Sequence, residues 1–159
     1  MMKRTVVTLA ACFTALAALA AQAGELKPLR ASEVEAVLAA SQGKPQIVEI
    51  WSLDCSYCRE NTAHIVEWQK THRDVRLTMI AMDSIDDNAA ALSQVLATLP
   101  LPPQTVLYAN AEAIPEKLRR ALDPNWHGEM PRTLLIDARG TRQASSGLLR
   151  PATLDAWRR

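Results

Sequence analysis

The sequence predicts an α/β fold in which a mixed central sheet is flanked by helices. Three observations lead there. Short apolar runs of strand length, at Gln46 to Trp51 and Arg76 to Met82, are each followed by a longer stretch of helical periodicity. That βαβα order implies parallel strands joined by crossovers. Late in the chain, Thr133 to Asp137 and Gln143 to Gly147 flank Ala138-Arg139-Gly140, a hairpin-like turn that adds an antiparallel pair.

In chain order, Ala31 to Gln42 has Ser32 followed by Glu35, a capping-box spacing, with Val34, Val37 and Leu38 on one helical face. Gln46 to Trp51 reads as a strand. Cys55 to Arg73 reads as a helix that brings Thr62, Ile65, Trp68 and His72 towards one side. Arg76 to Met82 is apolar enough for a central, two-faced strand, and Asp83 or Asp86 starts a helix through Leu92, Val95, Leu96 and Leu99. Pro100-Leu101-Pro102-Pro103 breaks that helix. A short strand over Gln104 to Ala109, a helix over Ile114 to Leu122 and a closing helix over Pro151 to Arg158 complete the reading. Neither a repeat nor a dividing linker interrupts it.

Met1-Met2-Lys3-Arg4, the uncharged run Thr5 to Ala21 and the small-x-small step Ala21-Gln22-Ala23 read as a secretory signal over residues 1–23, with residues 24–159 as one domain. The apolar run is too short and too rich in alanine for a spanning helix, which needs about 20 apolar residues. Cys12, in Leu9-Ala10-Ala11-Cys12, has little apolar sequence before it and is expected to leave with the signal. Removing Lys3 and Arg4 from the 18 basic residues leaves 16 against 17 acidic, with no long run of either sign. Nucleic acid and anionic membrane surfaces are not expected partners. The expected address is the periplasm, with no stable membrane span after cleavage and a monomeric domain.

Cys55 and Cys58 are the cysteines that remain after residue 23. A disulfide that braces a small exported domain closes a long loop, and a two-residue gap closes almost none. The pair sits instead where a strand runs into a helix, which puts the first sulfur among the free N–H groups and positive dipole of a helix N-terminus. Those favour a thiolate, the form that attacks disulfides.

These residues resemble the thioredoxin superfamily, and within it the exported thioredoxin-like disulfide reductases of the TlpA and cytochrome c maturation type. Two elements carry the resemblance: Trp51-x-x-x-Cys55-x-x-Cys58-Arg59-Glu60 after an apolar strand, and the distant Trp126-x-Gly128-x-x-Pro131-x-Thr133-Leu134-Leu135-Ile136-Asp137-x-x-Gly140. It implies a thioredoxin-like fold over about residues 26–158. It further implies Cys55 as the nucleophile that forms a mixed disulfide and Cys58 as the thiol that resolves it. Pro131 matches the family's cis-proline, whose preceding backbone pairs with an extended substrate segment. Trp51, Tyr57, Met130 and Pro131 are the substrate-binding residues carried over. Glu49, six residues before Cys55, stands where the family has a buried acid that exchanges a proton with the resolving cysteine. Burial in that strand raises a carboxyl pKa towards the range useful for acid–base work.

The chain also departs from the pattern. Ser56-Tyr57 replaces the proline-containing pair, Asn61 fills the acid position of the reductase helix, and Asp54 replaces a tryptophan. Asp54 opposes thiolate formation and Arg59 favours it. The resemblance implies no cofactor beyond the redox-active pair. It implies protein disulfides as substrates, apocytochrome haem sites, copper-site proteins and misoxidised exported proteins all fitting, and a DsbD-type membrane thiol reductase as electron donor.

No second Cys-x-x-Cys or paired histidine motif supplies the four ligands of structural zinc. The alternative reading is a Cu(I) chaperone, since two thiolates suit Cu(I) and a thioredoxin fold brings His127 or Met130 towards the pair. His64 and His72 read as packing or surface residues, and Trp51, Trp68, Trp126 and Trp157 as residues that fill the core or frame the active-site groove.

Overall fold

The computed structural model describes residues 24–40 and 43–159. The expected signal, with Cys12, and the end of the first predicted helix at Ser41 and Gln42 lie outside the described residues. The elements are β1 (Leu26–Leu29), a 3-10 turn (Ala31–Glu33), α1 (Val34–Ala39), β2 (Gln46–Trp51), α2 (Ser56–Gln69), β3 (Arg76–Ser84), α3 (Ile85–Thr98), β4 (Val106–Asn110), α4 (Pro115–Leu122), β5 (Arg132–Ile136), β6 (Arg142–Ser146) and α5 (Pro151–Arg158). They build the expected mixed sheet, six strands in the order β1-β4-β3-β2-β5-β6. β1, β4, β3 and β2 are mutually parallel, and β5 and β6 add antiparallel pairs.

The alternation of β2 organises the two cores. Ile47 and Trp51 face the cluster under α2, α3 and α5, where Ile65, Trp68, Leu92 and Leu154 are buried. Val48 and Ile50 face the opposite cluster with Val34 and Leu38 of α1, Leu118 and Leu122 of α4, and Trp126. With a period of two, Glu49 lies on the α2 side, and every residue of β2 is buried. A carboxyl is thereby carried into the middle of the molecule.

Four details differ from the sequence reading. β1 was not expected: Leu-Lys-Pro-Leu is too short and too polar to announce a strand, and it is stable at the sheet edge through its pairing with β4. The cap of the first helical segment is set by Glu33, whose carboxylate accepts from the Arg30 N–H at 2.8 Å, while Glu35 of the expected box ion-pairs with Arg142. β3 runs on to Ser84 through an irregularity between Ala81 and Ser84, and Ser84, not Asp83 or Asp86, caps α3. α2 ends at Gln69. His72 folds back so that its ring stacks on Trp68 with centroids 3.7 Å apart.

Candidate active site

The loop from β2 to α2 is short and pinned. The Leu53 N–H donates to Asp83 Oδ2 at 3.0 Å, which ties the loop to the end of β3, and the Cys55 N–H donates to the Ser52 carbonyl at 3.2 Å. Cys55 is then the N-cap of α2: its backbone is extended, and its Sγ accepts from the Cys58 N–H at 3.1 Å. The first sulfur thus sits among the free N–H groups of a 14-residue helix.

Cys55 and Cys58 are joined by a disulfide with a Cα–Cα distance of 5.3 Å. The two sulfurs are not equivalent. Cys55 is half-buried, whereas Cys58 is 1% exposed and part of the α2-side core. An incoming thiolate therefore has access to Cys55, and Cys58 can act from below.

A buried polar cluster adjoins the Cys58 backbone. Glu49 is 0% exposed and accepts from Asn61 Nδ2 at 3.0 Å and Thr62 Oγ1 at 2.9 Å. Asn61 Nδ2 also reaches Thr133 Oγ1 of β5 at 3.3 Å, and its Oδ1 accepts from the Leu149 N–H at 2.7 Å. Thr62 Oγ1 lies 2.9 Å from the Cys58 carbonyl as well. Burial pushes the Glu49 carboxyl up to about 7, against the opposing effect of the Asn61 and Thr62 hydrogen bonds. A carboxyl in that range exchanges protons near neutral pH.

The Met130–Pro131 peptide bond is cis, and Pro131 is buried. Its carbonyl accepts from Gly147 N–H at 2.9 Å. The loop leading to it is held by the buried Trp126, whose Nε1–H donates to the Glu129 carbonyl at 2.9 Å, and by an ion pair of Asp123 with Arg132. Met130 is half-buried and packs against both cores.

Of the residues expected to bind substrate, Tyr57 is 62% exposed beside the pair and Met130 is partly accessible. Trp51 is a correction. It is 3% exposed, its Nε1 is buried without a partner, and it packs in the core that includes Cys58, because the alternation of β2 turns it inward. Its ring supports the site from behind and is not presented to a partner. His127 is exposed on the loop before Met130. Among the described residues, no group of three or more His, Cys, Asp or Glu is placed to hold a metal ion. Asp83, Asn61 and Thr62 are structural members of the site that the sequence reading did not assign to it. Positions three and four after Cys58 on a helix were the available signal, since they share its inward face.

No protein-family model matches the chain, and no curated protein matches it in sequence. Solved structures do match in fold. The chain is similar to a thiol:disulfide interchange protein of the thioredoxin family from Chlorobium tepidum at 25% identity, over 75% of this chain and 80% of that one, with a TM-score of 0.52. MTB DsbF is similar at 14% identity, over 74% of this chain and 81% of that one, with a TM-score of 0.55. A secreted Mycobacterium tuberculosis disulfide oxidoreductase described as homologous to E. coli DsbE is similar at 15% identity, over 75% and 83%, with a TM-score of 0.51. The fold is thioredoxin-like. With a Cys-x-x-Cys disulfide at the N-terminus of α2, fold and site together define a thioredoxin-like thiol–disulfide oxidoreductase.

Proposed function

We propose that the chain is an exported oxidoreductase that reduces disulfides of periplasmic proteins through a Cys55–Cys58 dithiol/disulfide cycle. The observation that carries this reading is the asymmetry of the pair: an accessible sulfur capping a helix, and a buried one on a residue whose backbone carbonyl is linked through Thr62 to a buried carboxyl.

In the reduced protein, the Cys55 thiolate attacks one sulfur of a partner disulfide. The other partner sulfur leaves as a thiolate, and a mixed disulfide forms. Cys58 then gives its proton to ionised Glu49 and attacks Cys55 Sγ, and the second partner sulfur leaves. Two electrons pass to the partner, which becomes a dithiol, and the protein holds the Cys55–Cys58 disulfide. Tyr57, Met130 and the backbone before Pro131 receive the partner segment. A DsbD-type membrane thiol reductase returns the two electrons.

Residues 1–23 supply the export signal in this reading, and residues 24–159 act as a monomer in the periplasm. The secreted character of the Mycobacterium tuberculosis relative supports export. Among the described residues, no helix is long and apolar enough to cross a membrane.

The test is trapping. Cys58→Ser should accumulate mixed disulfides through Cys55 with a disulfide-bearing peptide, and Cys55→Ser should lose exchange altogether. A Cys58→Ser protein that accumulates no mixed disulfide would overturn the two-step cycle. Tight, stoichiometric Cu(I) binding that blocks exchange and is lost in His127→Ala would instead favour the copper chaperone.

A further inference from the structure

Thr62 has one hydroxyl hydrogen and two acceptors at equal distance. Its Oγ1 lies 2.9 Å from Glu49 Oε2 and 2.9 Å from the carbonyl oxygen of Cys58. One hydrogen cannot satisfy both at full strength. All three residues are buried, so a hydrogen bond left unmade here is costly.

Which acceptor takes the hydrogen follows from the charge on Glu49. Ionised, the carboxylate has no hydrogen of its own, and Thr62 donates to it, because a hydrogen bond to a charged acceptor is the stronger one. Protonated, Glu49 becomes a donor. Its O–H then points at Thr62 Oγ1, which accepts and is free to donate to the Cys58 carbonyl. That carbonyl has two lone pairs and takes the hydroxyl in addition to its helical N–H.

The surroundings leave this choice to Glu49. From α2 it is faced by Asn61, Thr62 and the Cys58 backbone, and across the strand register by Met79 of β3 and Thr133 of β5. These side chains carry no charge; in the oxidised protein Cys58 is held in the disulfide and does not titrate, and in the reduced protein its thiol is the titratable group among these residues. Asn61 is held in place by its bonds to Thr133 and Leu149, so its Nδ2–H stays aimed at Glu49 Oε1.

We propose that Thr62 is a positioning residue whose hydroxyl switches between Glu49 and the Cys58 carbonyl, so that each proton arriving at Glu49 adds a hydrogen bond to the first turn of α2 at the resolving cysteine. The proposal rests on the reading of Glu49 as the proton acceptor of Cys58. In the resolution step, Cys58 loses its proton, Glu49 gains it, and Thr62 turns its hydrogen from the carboxyl to the Cys58 carbonyl. No atom is lost and no outside reagent is needed.

The experiment places ¹³C in the cysteine carbonyls of the oxidised protein and follows the Cys58 amide band by infrared spectroscopy against pH, with the Glu49 carboxyl followed by ¹³C NMR. The wild-type Cys58 band should move to lower frequency as Glu49 is protonated, with one shared midpoint. In Glu49→Gln, whose amide N–H donates to Thr62 as the protonated acid does, the band should stay at the low-frequency position at every pH. In Thr62→Val it should stay at the high-frequency position, and the Glu49 midpoint should rise by about one pH unit, since the ionised form loses a donor. Thr62→Ser should restore both signals.

A wild-type band that does not move while Glu49 titrates would overturn the proposal without any variant. The relay reading is judged separately, by the pH profile of the concentration-independent step with oxidised glutathione. If Glu49→Gln leaves that profile unchanged, Glu49 is not the acceptor, and the functional meaning of the switch falls with it. If Glu49→Gln flattens the profile while Thr62→Val reproduces the wild type in profile and midpoint, the relay stands and the Thr62 switch is overturned.

Discussion

Asn61 donates from Nδ2 to Glu49 Oε1 at 3.0 Å while its Oδ1 accepts from the Leu149 N–H at 2.7 Å, so one amide joins the buried acid of β2 to the loop before α5. Asn61→Leu keeps the volume and removes every one of these bonds. It leaves the Leu149 N–H and one Glu49 oxygen unpartnered in a dry interior, which costs about 3 kcal/mol in a urea denaturation. A loss under about 1 kcal/mol would mean that water replaces the amide.

The pH dependence of stability follows from Glu49. Its carboxyl is pushed up to about 7 in the fold, from an ordinary value of 4.5. Between those values the native state holds a proton that the unfolded chain has released, so stability falls as pH rises and levels off above about 7. The contribution lost across that window is about 3 kcal/mol. Glu49→Gln cannot ionise, and its stability should be flatter between pH 4.5 and 7 in thermal melts of the oxidised protein. An equally steep decline in the variant would count against a neutral buried Glu49.

Asp123 and Arg132 hold the approach to the cis Met130–Pro131 bond. Burial pushes Asp123 up, but the Arg132 guanidinium and the Asn125 N–H together outweigh it and leave the carboxyl below its usual range. Stability from this pair is therefore present above the ordinary Asp value and lost as pH falls through the lowered one. Asp123→Ala leaves a largely buried guanidinium without its partner. It should cost about 2 to 3 kcal/mol by denaturation and raise the peptide KM through a loosened loop. An unchanged KM would separate this pair from substrate binding.

The Leu53 N–H bonded to Asp83 should be among the slowly exchanging amides of the β2–α2 loop. Asp83→Ala should speed its hydrogen exchange at least tenfold, which corresponds to about 1.4 kcal/mol, and Asp83→Asn should retain most of the protection. Equal exchange in wild type and Asp83→Ala would show that the loop is held by other contacts.

The catalytic βαβ unit was legible in the sequence because its signals are local. Gln46 to Trp51 is continuously apolar but for Gln46 and Glu49, the cysteine pair follows at once, and the helix has a clear inward face. β1 was not legible, since Lys27 and Pro28 obscure a strand whose stability comes from a partner some 80 residues away in β4. The same reason hid the Glu49 cluster. Its bonds span 12, 13, 72 and 88 residues, and no spacing rule ties Asn61 to Thr133 or Leu149. Trp51 differs for another reason: its substrate-binding role comes from the family resemblance, whereas the alternation of β2 turns its ring into the core.

Whether Cys55 and Cys58 form a reducing couple is tested most directly by the reduction potential of that couple, measured by equilibration in glutathione or dithiothreitol buffers. A value near or below the ~−270 mV of thioredoxin is the predicted result; one near the ~−120 mV of strong periplasmic oxidants would contradict the account and reverse the direction of electron flow.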